Sequence, residues 1–72
     1  MKKNKKVNNI VKAMNESKGR FFGLKTRQGE NLNAKFIRET PEYVLVRDRN
    51  SNRVRKFAKT SLKSFSMGSV QV

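Results

Sequence analysis

From Arg20 onward the apolar residues of this chain recur at every second position, broken at short intervals by turn-forming residues. That period belongs to strands with one buried face. Phe22, Leu24 and Thr26 alternate with Phe21, Gly23 and Lys25 in a first strand. Thr26 to Asn31 is a turn, where Gly29 supplies a positive φ without steric cost. Leu32, Ala34 and Phe36 alternate with Asn33, Lys35 and Ile37 in a second strand. Pro41 then ends the pairing, because proline has no N–H to donate to a ladder. Tyr43 to Arg47 has the β-branched and aromatic character of a third strand. Asn50 to Asn52 is a polar tip, and Arg53 to Ala58 returns as a fourth strand. Thr60 to Lys63 reads as one capped helical turn, and Phe65 to Val72 as a short fifth strand. Val54 and Phe57 are three apart and cannot share a face of a regular strand. Either a bulge lies near Arg55 and Lys56, or one of the two packs outside.

Ahead of the strands the period is different. Val7, Ile10, Val11 and Met14 fall at i, i+3, i+4 and i+7, the stripe of an amphipathic helix that stops near Lys18 and Gly19. Residues 1–6 carry four lysines and read as a disordered basic arm, with 7–72 as one domain. The plainer use of the helical stripe is packing on the strands. A basic helix lying on an anionic membrane, or an apolar surface for a partner, are the alternatives.

The chain has 72 residues and no cysteine, so its core is compact and no disulfide braces it. Short strands joined by tight turns leave bare edges unless they bend and close. The expected fold is therefore mainly β: a small five-stranded SH3-like barrel preceded by one N-terminal amphipathic α-helix. Phe22, Leu24, Leu32, Ala34, Phe36, Val44, Val46, Leu62 and Phe65 form the expected core. No stretch approaches the ~20 apolar residues of a membrane span, and the expected location is cytoplasmic.

Eighteen Lys and Arg face five Asp and Glu, a formal charge of +13. A field of that size attracts polyanions, and nucleic acid is the commonest of them. With neither histidine nor cysteine, the usual general base, thiol nucleophile and transition-metal ligands are missing, so the reading is a non-enzyme without metal or cofactor. The most specific charge pattern is Arg47, Arg49, Arg53 and Arg55, all of one parity. With Asn50 to Asn52 as tip, all four stand on one face of the hairpin. Opposed like charges destabilise a ribbon by roughly 0.2–1 kcal/mol per pair, which a phosphate backbone would relieve. The plainer reading is a solvated face, and a two-residue tip sets Asp48 opposite Arg55 in an exposed ion pair.

Lys25, Arg27, Lys35 and Arg38 extend this patch along the first hairpin. Lys56, Lys59 and Lys63 border it from the fourth strand and the following turn. Lys2, Lys3, Lys5 and Lys6 in the arm either follow a phosphate run or merely solubilise. Exposed aromatics for stacking are few: Phe21 and Tyr43 are the candidates, with Phe21 expected under the helix. The inventory therefore favours duplex DNA held by its backbone, with little sequence preference.

The order of a helix, then Gly19-Arg20-Phe21-Phe22, then a charged glycine turn at Thr26 to Glu30, resembles small phage-encoded SH3-like β-barrel proteins. Tyr43 to Asp48, Val54 to Phe57 and the closing Thr60 to Phe65 resemble the later strands of that family. The resemblance implies the barrel and, for basic members, a histone-like, DNA-coating role in the nucleoid or host cytoplasm. The same element order resembles Sm-like RNA-binding proteins, which assemble into rings. The expected partner is double-stranded DNA and not a membrane. A homodimer or higher oligomer, an RNA, and a host transcription protein met through the apolar helix stay open as alternatives.

Overall fold

The computed structural model describes residues 5–72, Lys5 by its backbone alone. Helix α1 (Lys5–Glu16) precedes six strands: β1 (Phe21–Thr26), β2 (Asn31–Glu39), β3 (Tyr43–Asp48), β4 (Val54–Ala58), β5 (Leu62–Met67) and β6 (Val70–Gln71). A 3₁₀ turn, Lys59–Ser61, joins β4 to β5. The strands pair antiparallel in one sheet of order β4-β3-β2-β1-β5-β6. The protein is mainly β with one N-terminal helix, as the change of period predicts.

The sheet curls but does not close. In a flat sheet β4 and β5, four places apart, would be about 19 Å from each other. Three residues bridge them, a reach of at most ~14 Å and less in a 3₁₀ turn. Backbone bonds pin the bend on both sides: Lys59 N–H donates to the Glu42 carbonyl at 2.9 Å, and Arg27 N–H to that of Ser61 at 2.8 Å. Among the described strands β4 and β6 each pair on one side only, so the expected closed barrel is replaced by an open, strongly bent sheet.

The expected bulge lies elsewhere. β4 is regular from Val54 to Ala58, and Val54 takes the outer face, 50% exposed. The register slips instead in the β2–β3 pairing, between Phe36 and Arg38, and in the β1–β5 pairing, between Lys25 and Thr26, while Ile37 stays on the outer face that alternation gives it. The C-terminal segment is a hairpin and not a single strand: β5 already includes Leu62 and Lys63, and the chain reverses at Gly68 into β6.

All nine expected core residues are buried, joined by Phe57 and by the helical stripe Val7, Ile10, Val11 and Met14. The rings of Phe22 and Phe65 pack against each other, their centroids 4.9 Å apart. A lone helix of 12 residues is marginal in water. Burial of four apolar side chains, at ~1.5–3 kcal/mol each, docks α1 against β5, β2 and the 3₁₀ turn. The stripe is thereby covered, so neither a membrane nor a partner can use it without undocking the helix. No described helix is long and apolar enough to cross a membrane. Ser17 Oγ donates to the Met14 carbonyl at 3.1 Å, and Gly19, at φ +82°, turns the chain into β1. Because α1 begins at Lys5, Lys5 and Lys6 belong to the helix and not to an arm; Lys2 and Lys3 lie outside the described residues.

Candidate nucleic-acid interface

The register of the β3–β4 hairpin decides where its arginines point. Asp48 N–H donates to the Arg53 carbonyl at 2.8 Å, Asn52 N–H donates to that of Asp48 at 2.7 Å, and Asn52 sits at φ +58°. The cross-strand partners are Arg47 with Val54 and Val46 with Arg55. This differs by one residue from the three-residue tip, and a slip of one residue exchanges the two faces. Arg47 is on the outer face and Arg55 on the core face. Four arginines on one face is therefore incorrect.

Asp48 explains the choice. It continues the inward series Val44, Val46 and is itself buried. Its Oδ1 accepts the Asn50 N–H at 2.8 Å, which satisfies the loop. Its Oδ2 meets Arg55 Nη1 at 3.4 Å, while Arg55 Nη2 reaches Glu30 at 2.9 Å. The Asp48–Arg55 pair thus forms along a diagonal of the core face and not between directly opposed residues. Arg55 also lies 5.0 Å from the Phe57 ring, so its guanidinium serves the fold.

The outer face is organised in rows across the strands. Phe21 pairs with Lys35, Lys35 with Arg47, and Arg47 with Val54, a continuous row over β1 to β4. Phe21 is 39% exposed on this face, not under the helix as expected, with Lys35 Nζ and the Arg49 guanidinium 5.0 and 5.3 Å from its ring centre. Tyr43 is likewise exposed, with Lys56 Nζ at 4.7 Å. Arg47 Nη1 donates to the Asn52 carbonyl at 3.1 Å, and Arg49 and Arg53 are exposed beside it. Lys25 shares the outer parity of β1 with Phe21. This face therefore brings together Lys25, Lys35, Arg47, Arg49 and Lys56 with two accessible aromatics.

The remaining cations divide. Lys59 Nζ is 2.6 Å from Glu39, which also accepts a bond from Asn15 Nδ2 at 3.0 Å. The Lys59 bond, followed by that of Asn15, holds the Glu39 carboxyl below its ordinary pKa. Lys59 is thus a structural partner and not a free phosphate ligand. Lys6, Arg27 and Lys63 line an open cleft of ≈ 430 Å³ with Leu62. Among the described residues none of these three has an acidic partner. Three of the five acids, Glu30, Asp48 and Glu39, pair with just two cations, so the positive field elsewhere is left almost uncompensated.

Next to the Phe21 row lies a row that alternation alone does not single out. Gly23 pairs with Asn33 on β2 and with Ser66 on β5, and Ser66 pairs with Gln71 on β6. Outward polar residues are ordinary on any half-exposed strand. The available signal was the lone glycine inside a strand, a mark of close approach or a needed gap. A Cβ at Gly23 would stand 2.9 Å from Ser66 Oγ.

Comparison with protein-family models, with characterised proteins and with solved structures finds no match to this chain.

Proposed function

We propose that this protein binds nucleic acid through the phosphate backbone, with little sequence preference and without catalysis. The observation that carries the reading is the gathering of Lys25, Lys35, Arg47, Arg49 and Lys56 on one outer face, with Arg53 beside the hairpin, while Glu30, Asp48 and Glu39 are engaged with Arg55 and Lys59. Arginine meets phosphate oxygens in pairs, and clustered cations gain affinity by releasing counterions. Duplex DNA, coated in a histone-like manner, is the leading substrate. Lys6, Arg27 and Lys63 give a second set of cations around the 3₁₀ turn for a longer backbone track.

If six of these cations neutralise phosphates, log K for a labelled duplex falls against log salt with a slope near −5. Replacing Lys35, Arg47, Arg49 and Arg53 together by serine should flatten that slope to about −2. Binding insensitive to salt, or confined to one sequence, would sink the proposal.

Exposed Phe21 and Tyr43 support a second reading, single-stranded DNA or RNA. The cation contacts on these rings are worth ~0.5–1 kcal/mol at exposed sites, whereas a base stacked on an aromatic is worth ~1–3 kcal/mol. A base can therefore displace Lys35 from Phe21, and the freed ammonium can meet the neighbouring phosphate.

A further inference from the structure

An open groove of ≈ 730 Å³ runs across the outer side of β1, β2, β5 and β6, within the size range of small-ligand sites. Gly23 lies in it between five uncharged polar residues, Asn31 and Asn33 from β2, Ser64 and Ser66 from β5, and Gln71 from β6, and Lys6 and Lys25 complete its polar lining. No side chain of these five makes a hydrogen bond within the described residues. The missing side chain at Gly23 is a matter of space and not of backbone: its φ is not positive, unlike those of Gly19, Gly29 and Gly68.

We infer that this groove is a nucleobase subsite, taking an unpaired base beside the phosphate-binding row; the inference rests on the nucleic-acid reading above. The lining chemistry separates it from the rest of the face. Amides and hydroxyls offer neutral donors and acceptors that match the edges of bases, while lysine and arginine match phosphate. Amides and hydroxyls outnumber the cations in the lining, where Lys6 and Lys25 supply the charge, and Lys35 and Arg49 stand beside Phe21. Phe21 lies two residues before Gly23 on the same face, about 6.6 Å along the strand. One base can stack on Phe21 while its neighbour drops over Gly23, where Asn33 and Ser66 flank it.

A base paired within a duplex cannot enter so shallow a site without leaving its stack. A strand with unpaired bases is thus the class that can use the groove together with the cation row, whereas a duplex meets the cation row alone. Single-stranded DNA and RNA share that chemistry.

The test uses fluorescence anisotropy on the full chain at one fixed salt concentration. The probes are 12-nucleotide oligo(dT), oligo(dA), oligo(rU) and oligo(rA), and a 12-base-pair duplex. The groove predicts tighter binding of single strands than of duplex, and a several-fold difference between the adenine and pyrimidine probes. Phe21→Ala should weaken single-strand binding by roughly 5- to 150-fold and duplex binding by much less. Asn33→Ala should erase the difference between bases. Both positions are exposed, so thermal melts should stay near wild type and certify the fold. Tighter ribo- than deoxyribo-binding assigns the strand as RNA, and the reverse as DNA. Salt-dependent duplex binding that equals single-strand binding, with both variants silent, overturns the groove and leaves the phosphate reading standing. No salt-dependent binding of any probe overturns both.

Discussion

Arg55→Ala separates a structural arginine from one that meets phosphate. The Arg55 side chain is 37% exposed and the Glu30 side chain 41%, so their pair contributes no more than ~0.2–1 kcal/mol. The Asp48 side chain is only 11% exposed, and loss of the guanidinium leaves its Oδ2 without that charge partner, at a cost of ~1 kcal/mol or more. The lost contact with Phe57 adds ~0.5 kcal/mol. Together these come to ~2 kcal/mol, or a fall in Tm of roughly 8–16 °C for a domain of this size. Arg47→Ala should behave in the opposite way. It loses one exposed bond to the Asn52 carbonyl, moves Tm by a few degrees, and lowers the salt slope of binding by about one. Melting by circular dichroism and salt-titrated anisotropy read the two effects independently. The reasoning fails if Arg55→Ala leaves Tm in place while weakening nucleic-acid binding as much as Arg47→Ala does.

Glu39 supplies a pH test. Its carboxyl is held below its ordinary pKa by bonds from Lys59 and Asn15, so the stability it contributes is present above the unfolded glutamate pKa of about 4.3 and is lost as pH falls through the lower folded value. Melts of wild type and Glu39→Gln should differ at pH 7, and the gap should shrink as pH falls below the ordinary glutamate range; a constant gap would count against the assignment. Phe65→Ala removes a ring that is 1% exposed and packed on Phe22, at a cost of ~3–5 kcal/mol, so the chain should lose its cooperative melt at 37 °C. A sharp transition well above that temperature would show that the Phe22–Phe65 contact is not central to the core.

What could be read from residues and what could not follow a physical line. The core was legible because alternation and the helical stripe each state which side is buried, and every residue so chosen is inside. The hairpin face was not, because Asn50 to Asn52 tolerate more than one tip and each shift of one residue exchanges Arg47 with Arg55. The deciding signal was Asp48, third in the inward series after Val44 and Val46, whose buried carboxylate needs a cation on its own face. Phe21 differs for another reason. Alternation puts it opposite Phe22 but does not say which face the helix covers, and the helical stripe packs on the Phe22 side. The slip at Ile37 and the short β6 depend on the bend of the whole sheet, which no local pattern records.

The pairing of β1 with β5 has a consequence in time. Gly23 meets Ser66 and Phe22 packs on Phe65, so β1 waits until positions 65 and 66 are made before its second partner exists. Contacts of such long sequence separation slow folding toward milliseconds or seconds, although loop length adds little to the equilibrium cost. Throughout that interval one edge of β1 is bare and open to the wrong strand of another copy. Chains that each carry +13 repel one another before those edges can meet. The charge proposed to draw a polyanion to the finished protein thus also keeps its unfinished copies apart.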